Sequence, residues 1–177
     1  MTRIAPGGVR QIGLGAWVFS RVAGRAMRTE PPAIFTTLGR TRGLFWGWLH
    51  FAGRLMPGGK LPRRDTELVI LRVASLRSCA YEWSHHQRLA RRAGLSGDDI
   101  ERIRDGSTAG WPERDADLVA CVDALVRDHD LTDAQFAALR SHLDERQAIE
   151  FLLLVGHYDM LATTLTTLRV EPDARRA

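Results

Sequence analysis

Apolar and polar positions recur along this chain with the spacing of helices rather than strands. Over residues 9–28, Val9, Ile12, Leu14, Val18, Val22 and Met27 are apolar and Trp17 adds bulk, while Arg10, Arg21, Arg25 and Arg28 fall largely off that face. Gly13 and Gly15 weaken the helix, and Pro31-Pro32 ends it and opens the next segment. Residues 1–8, broken by Pro6-Gly7-Gly8, read as loose. The pattern then predicts a short helix over 32–39 and a stronger one over 42–56. In the latter, Phe45, Trp46, Trp48 and Phe51 read as core or as the wall of a pocket, and His50 as a partly buried, hydrogen-bonded histidine.

Pro57-Gly58-Gly59 is a turn, and Pro62 suits the first turn of a helix over 63–77 with Leu68, Val69, Leu71 and Val73 on its apolar stripe and Ile70 and Ala74 beside it. Ser78 is the candidate cap of the following helix, which stops at Gly94 with Arg91 and Arg92 in its last turn. Three further helices carry capping boxes or a Pro start: Ser96 with Asp99, Trp111-Pro112 before 113–128, and Thr132 with Gln135 before 133–142. A loop is predicted over 106–110. Asp144 with Gln147 opens a last helix to about Leu168, strongly apolar over 151–155. Eight or nine helices, no convincing strand pair, no repeat and no long linker make this an all-α, single-domain helical bundle. The expected division is a basic N-terminal extension, residues 1–30, and a helical domain, residues 31–173.

Composition changes the picture in two places. Residues 1–64 hold eleven Arg or Lys against one acid, Glu30, whereas the remainder holds fourteen basic and twenty acidic residues. Such a basic flank suits an acidic surface of the same chain or of a second subunit. The dispersed charges and the lack of any recognition motif speak against nucleic acid. The only two cysteines, Cys79 and Cys121, lie far apart and form neither a disulfide framework nor a zinc spacing, so a reducing cytoplasm is the expected compartment. No stretch approaches the ~20 apolar residues of a membrane span. Residues 12–19 look faintly like a signal core, but Arg21 and Arg25 interrupt the stretch directly after it.

The candidate chemistry gathers at 79–86. Cys79, Glu82 and His86 stand at helical spacing, with His85 at the edge of the stripe. A Glu–His pair at i,i+4 raises the imidazole pKa while burial opposes the rise, which suits a general acid or base, although the same pair also simply stabilises a helix. Cys79 at a helix start is favoured as a thiolate by the dipole, but a lone cysteine is often a small hydrophobe. Cys121 sits among aliphatics and reads as inert core. Tyr81, Trp83, His85, His157 and Tyr158 are candidate pocket residues, and Tyr81 has a hydroxyl to donate. Glu82-x-x-His85 has no second copy, so no metal site is expected. No nucleotide fingerprint appears either, and no cofactor is expected.

These residues carry a resemblance. Glu67, then Cys79 twelve residues on, Glu82 three further and His86 four beyond that, resembles the signature of the carboxymuconolactone decarboxylase superfamily, which includes alkylhydroperoxidase D, with Glu82 where that signature has its second cysteine. Residues 61–74, 81–86, 93–95 and 144–158 are closer still to uncharacterised bacterial members with a YEWxxH motif. The resemblance covers about 31–173. It implies an all-helical fold that assembles into homo-oligomers, and it places Glu67 in a proton relay with the histidine. In the hydroperoxidase branch the two cysteines cycle through a disulfide, and the second meets the peroxide. Glu82 can do neither.

The expectation is therefore a cofactor-free acid–base enzyme of the decarboxylase type, acting on a small organic acid, lactone or carbonyl compound. Glu82 and His86 shuttle the proton, Glu67 orients or relays, and arginines near the pocket hold a carboxylate. The alternatives are a thiol peroxidase using Cys79 and a non-catalytic, oligomeric ligand-binding protein.

Overall fold

In a computed structural model, which describes residues 2–107 and 109–174, the described residues fold as nine α-helices and one 3-10 turn. Met1, Thr108 in the predicted loop over 106–110, and the terminal arginines Arg175 and Arg176 lie outside the described residues. The helices are α1 (Val9–Met27), α2 (Ala33–Leu38), α3 (Gly43–Leu55), α4 (Arg63–Leu76), α5 (Ala80–Arg92), α6 (Gly97–Asp105), α7 (Glu113–Asp128), α8 (Asp133–His142) and α9 (Glu145–Leu168). The predicted capping boxes at Ser96–Asp99, Thr132–Gln135 and Asp144–Gln147 all form.

The bundle is organised around α4, which packs against α5, α6, α7 and α9. From Asp65 to Ala74 every residue is buried, polar ones included. The expected single apolar stripe is therefore only part of the helix, and its buried charges need partners. Asp115 of α7 takes a bidentate pair from Arg64 at 2.8 and 2.7 Å, and Asp123 takes one from Arg72 at 2.5 and 2.7 Å. Both pairs span the same 51 residues, so α4 and α7 run in the same direction. Arg114 returns the exchange by donating to Asp65 at 2.6 Å. Glu150 of α9 accepts the N–H groups of Lys60 and Leu61, which fixes the entry to α4.

α9 is long and apolar enough, by length and composition alone, to cross a membrane, contrary to the sequence expectation. Half of that window is buried within the bundle, where α9 packs on α3, α4, α5, α7 and α8.

α1 differs from its sequence reading in two ways. Gly13 has φ +81°, a left-handed value that glycine adopts without strain, and it breaks the helix near its start. The buried face is Ile12, Ala16, Ser20 and Gly24, while Leu14, Val18 and Val22 point outward. Small residues win that face because the backbones approach closely: a Cβ on Gly24 meets the carbonyl oxygen of Glu30 at 2.8 Å. Residues 3–7 are also tied down, through Arg3 N–H to the Leu168 carbonyl and Gly7 N–H to the Thr36 carbonyl, rather than loose. His50 is exposed rather than partly buried. Ser78 adopts φ +50°, and Cys79, not Ser78, occupies the N-cap of α5.

Candidate active site

The junction of α4 and α5 places three ionisable groups in the core. Glu67 is fully buried on α4, Glu82 is 3% exposed and His86 4% exposed on α5. His86 Nδ1 donates to Glu67 Oε2 at 2.7 Å, and its Nε2 lies 3.4 Å from Glu82 Oε2. Arg63, one turn before Glu67, sets Nη2 2.7 Å from the other Glu67 oxygen. Burial alone pushes the His86 pKa down, but the hydrogen bonds to Glu67 and Glu82 outweigh it and raise it to about 9. At neutral pH the ring is an imidazolium set between Glu67 and Glu82, with the Arg63 guanidinium behind Glu67.

This arrangement sets an alkaline limit on stability. Folding favours the charged ring, so its stabilising contribution is complete below about pH 6.5 and disappears as pH rises through about 9. The expected loss is about 3 kcal/mol. Urea unfolding across this range checks it, and the step shrinks in His86→Gln. A wild-type stability flat from neutral pH to above pH 9 overturns the assignment.

Glu82 and His86 open onto a cavity of about 230 Å³. Its walls come from α1, α2, α3, α5 and α9: Met27, Phe35, Trp48, Leu49, Leu89 and Leu161 supply the apolar surface, and Tyr81, His85, His157 and Tyr158 the polar atoms. Glu67 stands behind His86 and is not in the wall. The predicted pocket residues divide accordingly. Tyr158 is buried edge-on to the His86 ring, with centroids 5.3 Å apart. Burial, then Glu82 and Glu67, raises its pKa and keeps its hydroxyl protonated. Tyr81 is spent on structure, since its hydroxyl donates to Asp173 at 2.6 Å and accepts from the Ile34 N–H at 3.3 Å. His85 stacks on Tyr81, and burial with the His86 and Arg88 charges lowers its pKa to about 4, so it is neutral. His157 stacks on Trp48 with centroids 6.1 Å apart, and burial lowers its pKa too. Among the described residues, neither His157 Nδ1 nor Trp48 Nε1 has a hydrogen-bond partner, and both atoms are buried within the wall.

Residues 42–123 match the model of the carboxymuconolactone decarboxylase family. That stretch carries Glu67, Cys79, Glu82 and His86, and over it the chain is similar to this family. No curated protein sequence matches the chain. Its fold is similar to an alkylhydroperoxidase AhpD core, an uncharacterised peroxidase-related protein from Ralstonia eutropha JMP134, with a TM-score of 0.84 at 16% identity over 97% of this chain and 92% of that one. A peroxidase-related protein from Silicibacter sp. TM1040 is similar with a TM-score of 0.78 at 13% identity, over 90% of this chain and 85% of that one. The debrominase Bmp8, in complex with 2,3,4-tribromopyrrole, is similar with a TM-score of 0.77 at 16% identity, over 98% and 93% of the two chains.

Cys79 stands apart from the cavity. It lines a separate depression with Ser75, Ser78, Trp83 and Arg104. Burial pushes its thiol pKa up, and the N–H groups of Glu82 and Tyr81 at the helix start do not compensate. The dipole effect expected at that position is present but loses to desolvation. Trp83 likewise faces away from the cavity, under the Arg104 guanidinium at 4.7 Å. Cys121 is buried, and burial with Asp117 pushes its pKa up to about 11. Among the described residues no group of His, Cys, Asp and Glu is placed to hold a metal ion.

The expected arginines are not in the wall of the inner cavity either. Arg28, Arg88 and Arg92 line an outer cavity beside it. Sequence reasoning missed Arg63 as the outer partner of Glu67, although the i,i+4 spacing was there to be used. It also missed Met27, Phe35 and Leu161, which only the packing of distant helices brings to the wall.

Proposed function

We propose that this chain is a cofactor-free acid–base enzyme that moves a proton at carbon in a small organic acid, lactone or carbonyl compound. The observation that carries the proposal is the buried imidazolium held between Glu67 and Glu82 at the end of a mostly apolar cavity. His86 is the proton donor. Glu82, the carboxylate in the cavity wall, accepts or passes the proton, and Glu67 with Arg63 fixes the ring and balances its charge. In a decarboxylation, the carbon–carbon bond breaks, carbon dioxide leaves, and its electron pair enters an adjacent carbonyl as an enolate. The carbon then takes a proton from His86, which solvent restores. In an isomerisation, Glu82 removes a proton next to the carbonyl and the same relay returns one.

A thiol-peroxidase reading has less support, since Cys79 lies outside the cavity with a raised pKa. Homo-oligomerisation belongs to the proposal. Leu14, Val18 and Val22 on α1 and Ile149, Leu153 and Met160 on α9 leave apolar stripes exposed, which a second copy can cover. Cytoplasmic residence fits two free cysteines.

The test is a turnover screen of small ketones, lactones and keto acids in deuterated water, followed by a pH–rate profile for any substrate found. Solvent deuterium at carbon and a rate falling above about pH 9, where His86 loses its proton, are expected. Peroxide consumption that is lost in Cys79→Ser, with no deuterium incorporated, overturns the proposal.

A further inference from the structure

The outer cavity beside the candidate active site has a character of its own. It is lined by Ala26, Met27 and Arg28 at the end of α1 and by His85, Arg88, Leu89 and Arg92 on α5. Met27, His85 and Leu89 also line the inner cavity, so the two spaces share a wall and His85 stands at their border. The outer space is the larger, about 760 Å³.

Its arginines are unlike those of the core. Arg64, Arg72, Arg77 and Arg114 each hold a carboxylate. Among the described residues, no carboxylate forms an ion pair with Arg28, Arg88 or Arg92, although Arg88 lies within the field of Asp173. Arg88 and Arg92 stand one turn apart on α5, and Arg28 meets them from α1, where the chain turns through a left-handed residue at the helix end. Three arginines lining one concave space, with the neutral His85 ring beside them, attract an anion with oxygen acceptors.

We infer that Arg28, Arg88 and Arg92 form an anion-binding vestibule, which holds the carboxylate or phosphate of an amphiphilic ligand whose apolar body enters the inner cavity. The inference rests on the proposed function for its end point, because it aims the far end of that body at Glu82 and His86. The anchored anion is then not the group that reacts. It stays among the arginines while proton transfer occurs at the other end of an apolar spacer. The inner cavity takes a single ring or a short chain, being smaller than the usual range for drug-sized ligands. The N-terminal helix, through Met27 and Arg28, closes one side of both spaces.

The test is binding, independent of turnover. Phenylpropionate, phenylpropyl phosphate and neutral phenylpropanol are titrated into the full-length protein by calorimetry, at low and raised salt. The two anions are expected to bind about tenfold or more tightly than the alcohol, with an advantage that shrinks as salt rises. The double variant Arg88→Gln, Arg92→Gln is expected to bind all three alike. Ala52 on α3 also lines the inner cavity, and Ala52→Phe, which fills that space, is expected to weaken all three. If the alcohol binds as tightly as the anions, or the double variant keeps the preference, the vestibule is overturned. A tighter phosphate than carboxylate assigns the headgroup, and the reverse order assigns the acid. Anion binding without turnover of any related carbonyl compound leaves the vestibule standing and removes the acid–base reading. Turnover of neutral compounds, unaffected in the double variant, does the opposite.

Discussion

Substituting His86 by leucine is expected to lower kcat about a hundred- to ten-thousand-fold and to destabilise the fold by about 3–5 kcal/mol. The two effects have one origin. Glu67 has no exposed surface, and among the described residues its oxygens face only His86 Nδ1 and the partly exposed Arg63. Leucine fills the volume but leaves that carboxylate without its hydrogen-bond donor. Glu82→Gln separates the two consequences, because the Glu67–His86 pair stays intact. That variant is expected to lose activity at a stability cost below about 1 kcal/mol. Equal stability for wild type and His86→Leu in urea contradicts the bracket, and full activity in Glu82→Gln contradicts the relay.

Arg72→Met carries the second large effect, about 3 kcal/mol of stability measured by urea unfolding with an unchanged m value. Besides its bidentate pair with Asp123, Arg72 donates from Nη1 to the carbonyls of Ile103 and Arg104 at 2.9 and 3.3 Å. Those carbonyls belong to the end of α6, where no helical N–H remains to satisfy them. The same guanidinium fills the space above Gly106, where an added Cβ meets Nη2 at 2.4 Å. Methionine restores the bulk but none of the donors. A loss below about 1 kcal/mol means that water replaces them.

How far the chain was legible depended on the range of the interaction. Caps at Ser96, Thr132 and Asp144 are written within four residues, and each formed as read. The all-helical class followed from spacing alone, and the Glu67, Glu82 and His86 constellation from motif spacing within two adjacent helices. Cys79 shows where such reasoning stops. The stripe of residues 79, 82 and 86 assumes helical geometry throughout, yet Cys79 is the N-cap, with φ −85° and ψ 92°, and its side chain leaves the stripe. The face of α1 was misjudged because hydrophobicity ranks Leu14 and Val18 above Ala16 and Gly24, whereas the packed interface selects for small size. The arginines expected in the site stand outside it for a related reason: the sequence shows their number, but only the meeting of α1 with α5 shows which space they face.

The Glu67–His86 bond links positions only 19 residues apart, within one pair of adjacent helices, whereas the cavity wall is drawn from α1, α2, α3 and α9 as well. Under the proposed function, the part of the molecule that handles the proton and the part that selects what enters are thus carried by different segments of the chain. Substitutions at Met27, Phe35, Leu49 or Leu161 can reshape the wall without touching the charged bracket. Such an architecture lets the lining of the cavity drift among descendants of one ancestor while the bracket of Glu67, Glu82 and His86 is inherited whole.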